Sequence, residues 1–229
     1  MLLWPLLGRR RYQRLQQKLS ADPEARLRVY RRMILHQWMM VLAVTIILAV
    51  GSIPAAEIGL RPPVEGGTIQ AGMLLILLAA IAASGLFFRW KGDRFVQRML
   101  RMAAAILPAT PTERWLFAAI SIGAGISEEL LFRGFLLYYI DSHFPGLDWP
   151  VEVLISGVLF GFAHLFQGWR GMIVTGALGA TFALLYLGSG SLLAPMAIHA
   201  AIDLRVLIIL SPERVRLLGL PAADRQAAG

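Results

Sequence analysis

The chain contains no cysteine. That excludes disulfides, a thiolate metal site and a cysteine nucleophile, and says little about compartment. Charge is also scarce. Only 16% of the 229 residues are Asp, Glu, Lys or Arg, against about 25% in a soluble domain. No internal repeat or low-complexity tract stands out, and only four histidines occur. In place of charge the chain is apolar, 57% hydrophobic with a mean hydropathy of +0.64. Scarce charge and long apolar runs put it in the membrane class.

A hydrocarbon core about 30 Å thick takes roughly 20 helical residues. On that measure the expected fold is all-α, a polytopic transmembrane bundle of about six spans. They fall near Met33–Ile53, Ala71–Phe88, Trp115–Ile140, Val151–Phe166, Met172–Leu187 and Leu192–Leu210. The chain then divides into a basic amphipathic segment (1–32), two spans with a basic linker (33–114), a four-span core (115–210) and a tail (211–229). With the N-terminus inside, 19 of the 22 Lys/Arg fall on inner segments and only Arg61 on an outer one. This asymmetry predicts six spans with both termini cytoplasmic. Trp38, Trp90, Trp115, Trp149 and Trp169 lie near span ends and Trp4 in the basic foot, as interfacial aromatic belts would have them.

The net charge of +8 could suggest nucleic acid. Nine of the basic residues, however, precede the first span (Arg9, Arg10, Arg11, Arg14, Lys18, Arg26, Arg28, Arg31 and Arg32). A basic segment there sets topology and attracts anionic lipid, so the expected partner is membrane lipid, not nucleic acid. Met1–Leu7 is apolar but followed by arginines, the wrong order for a signal peptide, and reads as an interfacial foot. Asp22 and Pro23 read as a helix start. The linker carries a surface helix around Arg94–Arg101 and ends at Pro108–Pro111, with Thr112 as the expected cap.

Within the third span stands Ile126-Ser-Glu128-Glu129-Leu-Leu-Phe-Arg133. A charge at the centre of a spanning helix costs about 2.5–3.5 kcal/mol on insertion scales, so these groups must be paired, hydrated or working. Glu128 and Glu129 point about 100° apart on a helix. Glu129 and Arg133, four residues apart, can pair. Glu128 is left to face a cavity, where it suits a general base. In the fourth span, Phe160 and His164 share a face, and Gly157 and Gly161 would let another helix approach closely. In the sixth, Asp203 stands one turn from His199 and can orient its imidazole. His36 and His143 fall at an edge and in a loop, and Arg205 lies off the face of Asp203.

The series Glu128-Glu129-x-x-x-Arg133, Phe160-x-x-x-His164 and His199-x-x-x-Asp203 resembles the CPBP intramembrane proteases. These comprise CAAX prenyl endopeptidases and bacteriocin-processing or immunity proteins, also called the Abi family. The likeness covers about 115–210 and implies a catalytic core there, in a bacterial cytoplasmic membrane. It implies hydrolysis of a membrane-presented peptide, CAAX-type or related, on a peptide or lipidated-protein substrate. Glu128 and His164 would activate a water, and His199 and Asp203 would stabilise the oxyanion. Arg133 would orient Glu129 or meet a substrate carboxylate. An ionised Asp203 cannot donate a hydrogen bond, so it acts protonated or orients His199.

The family is described as metalloproteases, and both a zinc ion on Glu128, His164 and His199 and a metal-free Glu/His base are open. The H-E-x-x-H spacing of zincins is absent. Competing readings are a transporter or proton relay and a non-catalytic immunity or scaffold protein. One conflict stands. At these boundaries Glu128 lies 13 residues from Trp115, about 20 Å along a helix, whereas His164 lies two residues from the inner end of its span.

Overall fold

The chain is described by a computed structural model that covers residues 24–63 and 110–210. Positions 72, 75, 79–81, 83, 84, 87, 88, 107 and 108 are described singly. The foot up to Pro23, including Asp22, the linker helix around Arg94–Arg101, Trp90 and the tail from Ser211 lie outside the described residues. Those residues are almost wholly helical, with no strand among them. Ala25–Val50 forms α1, Pro111–Glu129 forms α2, and Leu130–Phe135 is a π-helical turn leading into α3, Leu136–His143. Trp149–Ala163 is α4, a short 3-10 turn covers Leu165–Gln167, Gly168–Ser189 is α5 and Leu193–Ile209 is α6.

Among the described residues three stretches are long and apolar enough to cross a membrane: Ala25–Val50, Pro111–His143 and Leu165–Ser189. Helix α1 carries Leu35, Met39, Ile46 and Val50 exposed on its surface. A helix apolar all round belongs in lipid, and this fits an integral membrane protein. Trp38, Trp115, Trp149 and Trp169 are all exposed.

Helix α2 begins at a capping box. Thr110 Oγ accepts from the Glu113 N–H (3.2 Å), and Glu113 Oε2 accepts from the Thr110 N–H (3.0 Å). Pro111, with no N–H to lose and its φ already helical, takes the first position. The cap is therefore Thr110 and not Thr112 as expected, because Pro111 starts the helix instead of ending the loop.

Helices α1 and α2 run parallel. Arg26 meets Glu113 at one end, Gln37 donates to the Ile120 carbonyl further along, and Val44 and Leu48 pack in a cluster with Leu130 and Leu137. Each singly described position from 72 to 88 is helical. The loop after α1 is clamped to the α5–α6 turn: the Leu192 N–H donates to the Gly59 carbonyl, Arg61 Nε to Gly190 and Ser191 Oγ to Arg61. Ile58 is completely buried there. Helix α6 runs back antiparallel to α2, with Arg114 donating to the Leu207 and Leu210 carbonyls.

Helices α4 and α5 form an antiparallel pair of very close approach. A Cβ on Gly157 would sit 2.9 Å from the Gly176 carbonyl oxygen, and one on Gly161 2.7 Å from that of Met172. The G-x-x-x-G spacing thus meets the helix it was expected to admit.

The conflict of depth disappears when residues are counted from the turn between α3 and α4. Glu128 lies fifteen residues before His143, and His164 fifteen after Trp149. Helix α4 is only 15 residues long, about 22 Å, and it stops beside the middle of the long Pro111–His143 stretch. Helix α4 ends at Ala163, near the expected end at Phe166, and that end is not at the level of Trp115. The chain turns there through Gly168, whose φ of +85° favours glycine.

Candidate active site

The site gathers side chains from α2, the π-turn, α4 and α6. Glu128 Oε2 stands 3.8 Å from His164 Nε2 and 3.9 Å from His199 Nε2, and His199 Nε2 stands 3.9 Å from Asp203 Oδ2. All six residues singled out from the sequence therefore lie in one cluster, four of them around a common space. Its exposure is graded. The side chains of His199 and His164 are 7% and 15% exposed, Glu128 23% and Asp203 40%, so the space opens on the Asp203 side.

Each imidazole has one nitrogen committed. His164 Nδ1 lies 2.9 Å from the Phe160 carbonyl oxygen. A carbonyl can only accept, so Nδ1 carries the proton and neutral His164 turns the lone pair of Nε2 toward Glu128. His199 Nδ1 lies 2.7 Å from Glu129 Oε1 and donates to that carboxylate. Glu128 Oε2 is buried and accepts no hydrogen bond. An orphaned carboxylate oxygen facing imidazole nitrogens is arranged to hold something that donates to it, such as a water.

Glu129 and Arg133 lie behind this space, both completely buried. Arg133 Nη1 donates to Glu129 Oε1 at 3.0 Å, and Nη2 donates to the Gly179 carbonyl at 2.8 Å. The guanidinium carbon lies 4.4 Å from the Phe160 ring centre, close enough for a cation–π contact. Thus α5 helps to hold Arg133, Arg133 holds Glu129, and Glu129 holds His199. Gly179 permits this, since a Cβ there would lie 3.0 Å from Arg133 Nη2. Arg133 is completely buried and holds Glu129, the first of the two contacts expected of it.

Asp203 faces Nε2 of His199 rather than Nδ1, so the partner that fixes the imidazole through Nδ1 is Glu129. Reasoning from the sequence also passed over Phe182, whose ring stacks on His199 at 5.4 Å, and the Gly179 carbonyl. Phe160 was singled out only for sharing a face with His164, and its packing on Arg133 gives it a second contact with the site. The remaining histidines stand apart. His143 stacks on Tyr139 at the bundle end, and His36 is exposed on α1.

The donor types here, two imidazoles and a carboxylate, are those of a catalytic zinc site. The spacing is wider: donors about 2.0–2.1 Å from one tetrahedral ion lie about 3.4 Å apart, against 3.8 and 3.9 Å here. Among the described residues no group of three or more such side chains stands ready to hold a metal.

Residues 110–205 match a family model described as type II CAAX prenyl endopeptidase Rce1-like. No curated protein and no solved structure matches the chain. The matched stretch opens at the cap of α2 and closes two residues past Asp203, so it includes every residue of the cluster. Over residues 110–205 the chain is therefore similar to the Rce1-like endopeptidases, within the CAAX protease family that its three motifs resemble.

Proposed function

We propose that the protein is an intramembrane endopeptidase that hydrolyses a peptide bond of a membrane-presented substrate, of CAAX type or related. The observation that carries the reading is the orphaned Oε2 of Glu128, buried within 4 Å of two imidazole nitrogens. The Rce1-like match supports endopeptidase chemistry at the level of the family.

A water held between Glu128 and His164 gives a proton to Glu128 as its oxygen attacks the scissile carbonyl carbon. The carbonyl oxygen becomes an oxyanion. His199, held through Nδ1 by Glu129, presents Nε2–H to it in its doubly protonated form. A protonated Asp203 supplies a second donor from the open side. Collapse of the intermediate breaks the C–N bond, and Glu128 returns the proton to the leaving amine. Arg133 acts only through Glu129. These steps use only the chain's own side chains; in the metal-dependent form of the reading, Glu128, His164 and His199 would hold a zinc ion that polarises the same water. The substrate is a peptide tail brought by the membrane, and the setting is a bacterial cytoplasmic membrane with both termini inside.

Full-length protein in proteoliposomes, given prenylated and unprenylated peptides, provides the test. Glu128→Gln should lower turnover by about 10²–10⁴-fold, the usual value of a positioned base, with thermal melting unchanged. Turnover at the wild-type rate would sink the reading. Transport across sealed vesicles by Glu128→Gln at the wild-type rate, with no peptide cleaved by either protein, would favour a carrier. A chelator should leave turnover intact; loss restored by zinc would give Glu128, His164 and His199 to a metal.

A further inference from the structure

Helix α5 contributes no member of the cluster, yet one turn of it touches the support behind the cluster twice. Gly179 gives its carbonyl to Arg133 Nη2 at 2.8 Å. Three residues on, and so on the same face, Phe182 is completely buried. Its ring centre lies 5.5 Å from the Arg133 guanidinium carbon and 5.4 Å from the centre of the His199 imidazole. The planes of the two rings are inclined by only 20°, so Phe182 lies over one face of the imidazole. Phe160 meets the same imidazole at 85°, with 5.9 Å between centres.

These contacts supply what the hydrogen bond at Nδ1 does not. Glu129 Oε1 holds that nitrogen at 2.7 Å, and so selects which edge of the ring faces the cavity. A hydrogen bond still tolerates a tilt of about 30° from linear, which lets the opposite nitrogen, Nε2, swing out of the ring plane. A flat ring packed on the face resists that swing. Tilting would press the two rings together on one side and open a void on the other. The aim of Nε2 matters because a misplacement of about 1 Å at a reacting group can cost about 100-fold in rate. Leucine or methionine would fill much of the same space without presenting a flat face.

We propose that Phe182 is a positioning residue that fixes the plane of the His199 imidazole and with it the aim of Nε2. It acts through His199. The proposal rests on the endopeptidase reading for its effect on turnover, whereas the stacking itself can be read without turnover.

The test uses the full-length protein in proteoliposomes, with kcat and KM for peptide cleavage measured per folded molecule. Phe182→Leu and Phe182→Met should each lower kcat about 10–100-fold, as loss of a group that orients a working histidine does, with KM unchanged. The control is Leu185→Ala. Leu185 is also buried and packs in the same cluster as Phe182, so this variant should lower melting and leave kcat and KM at wild-type values. The second readout is NMR of the full-length protein in detergent. The chain has only four histidines, so a sample labelled with carbon-13 at histidine Cε1 gives four signals, and His199→Gln identifies the one from His199. The ring current of Phe182 displaces that signal, and either Phe182 variant should move it more than any other. A kcat kept in both Phe182 variants, or lowered as much by Leu185→Ala, would overturn the proposal. So would a His199 signal that neither variant moves. A moved signal in a protein that cleaves no peptide would leave the positioning standing and remove the endopeptidase reading. Cleavage by the wild type, with kcat and signal unmoved in both variants, would do the reverse.

Discussion

Among the described residues two buried Arg–Glu pairs stitch this bundle, and they end differently. At one end Arg26 of α1 meets Glu113 of α2 at 2.9 Å, and Glu113 also takes the Thr110 N–H in the capping box. Near mid-length Arg133 meets Glu129 at 3.0 Å, and Glu129 also takes His199 Nδ1. The first carboxylate therefore serves a helix start and the joint between two helices. The second serves an imidazole whose other nitrogen faces a cavity. The same pair of side chains is a fastener in one place and, on the proposed function, a support for chemistry in the other, and the third partner differs.

Breaking the mid-length pair should have the largest effect. Arg133→Met leaves Glu129 buried without its cation, which costs about 3–5 kcal/mol, so thermal melting should fall steeply and turnover with it. Glu129→Gln leaves Arg133 buried without its counter-charge, so melting should fall here too, though less than in Arg133→Met because an amide oxygen still accepts from both neighbours. Turnover per folded molecule should fall about 10–100-fold, the usual effect of removing a group that orients a working histidine. Glu113→Gln should cost about 1–3 kcal/mol of stability while turnover per folded molecule stays at the wild-type value. Thr110→Ala should cost about 1 kcal/mol, again with turnover kept. If Glu113→Gln lowered turnover as much as Glu129→Gln, the distinction between the two pairs would fail.

What could be foreseen here followed the range of each physical rule. The Glu129–Arg133 pair is an i,i+4 relation on one helix, so spacing alone reveals it. The close approach of α4 to another helix was signalled by Gly157 and Gly161. The bond from Glu129 to His199 joins residues seventy positions apart, and no local periodicity encodes it. Asp203, being local to His199, therefore looked like the orienting carboxylate. The Gly179 carbonyl and the Phe182 ring were hidden for the same reason: a small residue and an aromatic in an apolar helix look like ordinary packing. The depth of the site was not legible in the sequence, because spacing does not reveal that α4 is only 15 residues long.

That short helix has a consequence for the shape of the membrane around the protein. On one flank the bundle continues to Pro111, seventeen residues past Glu128, or about 25 Å. On the other flank the chain turns back at Leu165–Gln167, beside His164, and there exposes Trp169 with Arg170 against its ring. Residues of that kind settle at the lipid–water boundary. If Trp169 and the start of α2 both meet the lipid–water boundary, a bilayer that follows the bundle would be thinner beside the cluster. The hydrolysis proposed above joins a reactant dissolved in water to one dissolved in lipid, and a thinner bilayer there would bring those two solvents closest at the cluster.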